Sequence, residues 1–166
     1  MEAVFLDYSC RKLEQMAGRI VVSLDALDDD QLWQRANPQS NAPGNLVLHL
    51  CGNVRQWIIA GVAAQPDLRQ RATEFAARAG SRAELIALLD RTVQEAIAVL
   101  RALPQGRLTE VLEVQGFRLT VLEAIYHVVE HFSGHAFQII LLTKAHSGQP
   151  FGFYGYLAGP HERETP

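Results

Sequence analysis

From Thr120 to about Lys144 the chain is apolar on almost every side of the helix that its spacing predicts. Val121, Leu122, Ile125, Val128, Val129, Phe132, Phe137, Ile139, Ile140 and Leu141 leave no broad polar face. Such a helix must be covered on more than one side, which places it inside a bundle of helices. Thr120-Val-Leu-Glu123 opens it as a capping box, with Thr and Glu satisfying each other's free amides. No apolar run in the chain reaches the ~18–20 residues needed to span a bilayer.

Three further helices are predicted. Leu6, Leu13, Met16, Ile20, Leu24 and Leu27 recur at spacings of three, four and seven over residues 4 to 27. Asp28-Asp-Asp30 caps a short turn through Leu32 and Trp33, and residues 37–44 form a Pro/Asn/Gly loop. A second helix runs from about 42 to 64, with Asn41 as its N-cap and Leu46, Leu50, Val54 and Trp57 as its buried stripe. Asn45, His49 and Asn53 make a polar line beside that stripe. Residues 67–80 carry Arg69, Arg71 and Arg78 and are expected to be a solvated linker, partly helical.

Ser81-Arg-Ala-Glu84 is another capping box. It starts a third helix, with Leu85, Leu88, Leu89, Val93, Ile97 and Leu100 inward, that Pro104 stops. Residues 108–119 alternate around Gln115-Gly116 and predict a small β-hairpin. The fold class is therefore all-α, a four-helix bundle with a hairpin before the last helix. One domain over 1–158 is expected, followed by a frayed tail, 159–166. The aromatic run Phe151, Phe153, Tyr154, Tyr156 should pack across the bundle.

The last helix carries His127, His131 and His135 at four-residue spacing. Residues i and i+4 share a face, roughly 6 Å apart along the axis, so two such imidazoles can share one ion. His127 and His135 are about 12 Å apart and cannot both bind it in a regular helix. His131 and His135 are the favoured pair, and His49 is the third ligand from another element. His127 is then a supporting residue, donating to a ligand or to bound water. Neutral imidazole suits zinc and nickel first, with iron or manganese as further candidates. Three protein ligands with an open position is the pattern of a catalytic site. Glu130 precedes His131, so the His-Glu-X-X-His arrangement of metalloproteases is absent.

Other function classes find little support. The net charge is −3, and neither a basic stripe nor a zinc-finger spacing points to nucleic acid. The start Met-Glu-Ala-Val-Phe lacks the features of a signal peptide, and a cytoplasmic location is expected. Cys10 and Cys51 form no disulfide framework. Cys51 lies two residues past His49, on another face of the helix, and should not share a metal with it.

The segments Asn45-Leu-Val-Leu-His-Leu-Cys-Gly-Asn-Val-Arg-Gln-Trp-Ile58 and His127-Val-Val-Glu-His-Phe-Ser-Gly-His-Ala-Phe-Gln-Ile139 resemble the DinB/YfiT-like superfamily. The resemblance extends over nearly the whole chain, including Asp30-Gln-Leu-Trp33. It implies a four-helix bundle, often a homodimer, with a divalent metal on three histidines: by position His49, His131 and His135. It also matches Gln138 to a recurrent glutamine after the last ligand. Phe137 replaces the glycine usual before that glutamine.

The superfamily includes bacillithiol- and mycothiol-dependent transferases and a maleylpyruvate isomerase. The leading expectation is thus a metal-dependent enzyme that joins a low-molecular-weight thiol to a small electrophile. His49, Asn53, His127, His131 and His135 would line its pocket, with Asn45 and Gln138 in support. Arg55 is a candidate for the cosubstrate by proximity alone. Metal-dependent hydrolysis, with Glu130 as a candidate base, is one alternative. A non-catalytic dimeric stress-response or binding module with a structural metal is another.

Overall fold

Leu13, Met16, Ile20 and Leu24 fall on one face of helix α1, Glu2–Asp25, and all are buried. That stripe packs against two other long helices, α5 (Arg82–Arg101) and α6 (Val121–Ser147). The fourth long element is α3, Pro43–Val54, prolonged by Arg55–Val62. Residues 1–155 are described by the structure, a computed structural model. The expectations for Tyr156 and for the tail 159–166 lie outside the described residues.

Helix α6 is as central as its composition requires. Ile125, Val128, Phe132, Ala136 and Ile139 are buried, and the helix touches both α1 and α3. It ends at Ser147 rather than at Lys144, because Gly148 takes the left-handed cap conformation (φ 65°) that stops it. Lys144 and His146 both lie in its last turn. Both expected capping boxes form: Ser81 with Glu84 and Thr120 with Glu123.

The start of α3 differs from expectation. Ala42, not Asn41, is the N-cap, and the Asn45 side chain accepts from the Ala42 N–H at 3.3 Å. Residues Arg55–Val62 wind as a π-helix, closed by a bond from the Ala63 N–H to the Ile58 carbonyl at 3.0 Å. A wider turn rotates less per residue. It gathers Trp57, Ile58, Ile59 and Val62 into one buried arc, which an apolar-stripe reading of an α-helix does not foresee.

The hairpin pairs β1, Val111–Val114, with β2, Phe117–Thr120, in antiparallel register Val111↔Thr120 to Val114↔Phe117. Gln115 (φ 54°) and Gly116 (φ 79°) both take left-handed backbone, as a two-residue hairpin turn of this twist demands. Val114 is buried against Gly61, where a Cβ would lie 2.7 Å from Val114 Cγ2.

The segment between α3 and α5 is not a solvated linker. It contains helix α4, Arg71–Ala76, which lies against α3. Glu74 is 7 % exposed, and the Arg69 side chain is 4 % exposed. Backbone carbonyls anchor the segment. Asn45 Nδ2 donates to the Glu74 and Ala77 carbonyls, both at 3.0 Å. Arg35 Nη2 donates to the Phe75 carbonyl at 2.6 Å and to Asn45 Oδ1 at 2.8 Å. Trp33, at the end of the short helix α2 (Asp29–Trp33), donates from Nε1 to the Gly80 carbonyl at 2.8 Å. Its ring lies over Gly44, where no side chain would fit.

Candidate metal centre

Helices α3 and α6 face each other in opposite directions. His49 meets His131 and His135, while Trp57, two turns further along, meets His127. The four-residue spacing that puts His131 and His135 on one face of α6 thus aims both at His49. The ring centroids of His49 lie 5.0 Å from each of the other two, and those of His131 and His135 are 4.5 Å apart. One ring nitrogen from each histidine lies within 4.8 Å of the others, a group able to hold a metal ion.

The hydrogen bonds on the far side of the rings set which nitrogen faces the centre. His49 Nδ1 stands 3.1 Å from Glu74 Oε2. A carboxylate accepts, so the proton sits on Nδ1 and Nε2 keeps its lone pair. Arg69 Nη2 also lies 3.1 Å from His49 Nδ1, but it donates to Glu74 Oε2 at 2.8 Å, and the protonated Nδ1 offers it nothing. His135 Nδ1 is 2.7 Å from Gln138 Oε1, which fixes the same tautomer there. His49 Nε2 and His131 Nε2 approach to 3.1 Å. Two imidazole nitrogens bound to one tetrahedral zinc at 2.0–2.1 Å would be about 3.3 Å apart. His131 Nδ1 is buried with no hydrogen-bond partner among the described residues, so His131 is the one member lacking an outer acceptor there. Tautomers, spacing and donor type all fit a divalent ion.

Electrostatics favour the ligand form of the cluster. Burial, aided by the neighbouring imidazoles of His135, His49 and His127 and by Arg69, holds His131 down to about 3. Burial also lowers His49, against the opposing hydrogen bond that it donates to Glu74. Near neutral pH both are uncharged and able to bind metal without first losing a proton.

The cluster opens onto a cleft of about 300 Å³ lined by His127, Glu130, His131, Gly134, His135 and Gln138. A Cβ at residue 134 would meet nothing within 4 Å, so the bare backbone of Gly134 widens the cleft and makes no close helix contact. His127 does not join the three histidines. Its ring packs on Trp57 at 4.4 Å and on His131 at 5.6 Å, forming one wall. Phe137 lies outside the cleft, half exposed beside Tyr8 and Tyr126. Asn53 is buried on α3, its Oδ1 unpartnered among the described residues, and Asn45 bonds the α4 backbone instead of an imidazole. Arg55 pairs at the surface with Glu95 at 2.7 Å.

Glu74, Arg69 and Phe75 are the site residues that sequence reasoning missed. Arg69 grips both oxygens of Glu74, from Nε at 2.7 Å and from Nη2 at 2.8 Å. The Phe75 ring covers His49 at 4.9 Å. A short helix without apolar periodicity gives no sign of such burial. Cys51 is buried with burial pushing its thiol up to about 12, and Cys10 is raised too, so neither is a ready nucleophile.

Bundle and hairpin define the fold class: an all-α bundle with a two-stranded hairpin before its last helix and a three-histidine group able to hold a metal ion. The chain belongs to the family described as "Protein of unknown function (DUF1572)", which it matches over residues 1–154. No curated protein matches the chain. A conserved protein from Enterococcus faecalis, solved by crystallography, has the same fold: TM-score 0.71, 15 % identity, over 85 % of this chain and 96 % of that one. A mutant of mycothiol-dependent maleylpyruvate isomerase follows at TM-score 0.64 and 14 % identity, over 84 % of this chain and 68 % of that one.

Proposed function

We propose that this protein is a metal-dependent enzyme, with His49, His131 and His135 holding one divalent ion, zinc or nickel by preference. Its reaction is the transfer of a low-molecular-weight thiol to a small electrophile. The observation that carries this reading is the convergence of three imidazoles, two tied back through Nδ1, at the foot of an open cleft. A bound divalent ion supplies Lewis acidity that lowers the pKa of a coordinated thiol or water. The chain's own residues hold the geometry. Glu74 and Gln138 keep lone pairs directed inward, and His127 on Trp57 bounds the space for the electrophile. The structural likeness to a mycothiol-dependent enzyme supports a thiol cosubstrate. The buried Cys10 and Cys51 leave the thiol to come from outside.

A second reading, hydrolysis, is favoured by one feature: Glu130 lines the same cleft and could take a proton from water. A third, a non-catalytic module with a structural metal, is opposed by the open cleft, since structural sites are closed by four ligands.

Elemental mass spectrometry of untagged protein tests the metal. About one ion per chain is expected, lost in His49→Ala and in His131→Ala. Absence of metal after zinc and nickel addition defeats the proposal. Turnover of electrophiles only with added thiol then selects transfer, and turnover without it selects hydrolysis.

A further inference from the structure

We infer that Glu74, on the crossover between α3 and α5, is a positioning residue that sets the affinity of the three-histidine site by fixing the tautomer and aim of His49. This rests on the metal reading above. Three observations from different parts of the chain carry it.

The first is the contact itself. Glu74 Oε2 accepts a hydrogen bond from the His49 Nδ1–H, the two atoms 3.1 Å apart, and both groups are almost fully buried, 8 % and 7 % exposed by side chain. Without this acceptor the imidazole is free to carry its proton on Nε2, where the proton would block coordination.

The second is that the carboxylate is itself immobilised. Arg69 binds both its oxygens, and the Asn45 side chain holds the Glu74 backbone carbonyl. A guanidinium this close to a cation site is unfavourable alone. Paired with Glu74 it leaves the outer shell neutral, so the carboxylate offsets the charge as well as orienting the ring.

The third is that α3 makes room for it. A Cβ on Gly52 would stand 2.0 Å from Glu74 Oε1 and 2.9 Å from Arg69 Nε. The absence of a side chain at residue 52 admits the pair to the face of α3 that carries His49. A surface ion pair would need no such space.

The test reads zinc affinity by competition with a chromophoric chelator, and the His49 tautomer by long-range 1H–15N spectra. Two variants are compared with wild type: Glu74→Met, which offers His49 no acceptor, and the paired Arg69→Met with Glu74→Leu, which also avoids leaving a buried unpaired charge. Circular dichroism checks that each metal-free variant stays helical. The expected result is a loss of zinc affinity of about 10–100-fold in each folded variant. In metal-free wild type, the His49 proton should reside on Nδ1, a readout that needs no variant. A wild type with that proton on Nε2, or folded variants within about threefold of wild-type affinity, overturns the inference. Wild-type protein that takes no zinc defeats the metal reading itself. Normal wild-type binding with unaffected variants defeats the role of Glu74 alone.

Discussion

A single hydrogen atom at residue 52 decides how closely the crossover can approach α3. In Gly52→Ala the new methyl would occupy the place of Glu74 Oε1. The neighbour it meets is no loose surface chain but a carboxylate gripped by Arg69. Relief therefore requires moving α4 or breaking the pair. Gly52→Ala is expected to lower stability by about 1–3 kcal/mol in chemical denaturation, although alanine is the better helix former. A variant as stable as wild type would show that Glu74 and Arg69 withdraw at little cost. The alanine should also weaken zinc binding, for the same reason as loss of Glu74.

At the scale of elements, the four long helices were legible because each carries a full apolar stripe and two carry capping boxes. The histidine alignment on α6 was legible for the same reason, since a period of 3.6 fixes which residues share a face. The crossover was not. Helix α4 is six residues long, flanked by arginines, and its burial depends on partners far away in sequence: Trp33, Arg35 and Asn45. Asn45 read as a pocket residue because it lies on the line of His49 and Asn53, while its real partners are carbonyls that no local pattern reveals. The π-helical stretch was equally hidden, since its sequence reads as a continued α-helix. Trp33→Ala removes the bond to Gly80 and the ring over Gly44. It should lower the local opening free energy of residues 71–77 by about 1–3 kcal/mol, measured by amide hydrogen exchange, with α1 unchanged. Equal changes in both elements would mean that the crossover does not open on its own.

For the whole molecule, the outer face of α6 presents Leu122, Tyr126, Phe137 and Leu141 to the surface, with Tyr126 61 % and Leu141 67 % exposed. Val4, Tyr8 and Val22 add exposed apolar surface on α1. We propose that this face pairs with a second copy of the chain, since monomers rarely leave such patches open. Light scattering should give twice the chain mass for wild type and the single mass for Tyr126→Glu combined with Leu141→Glu. A monomeric wild type would end that proposal. No helix among the described residues is long and apolar enough to cross a membrane. With an ion held as proposed, the path from Arg69 through Glu74 to His49 would act in both directions. A loop that tightens an ion must be tightened by it to the same degree. Free zinc would then govern how often the stretch 64–80 exposes itself, so resistance to proteolytic nicking there would become a gauge of metal supply.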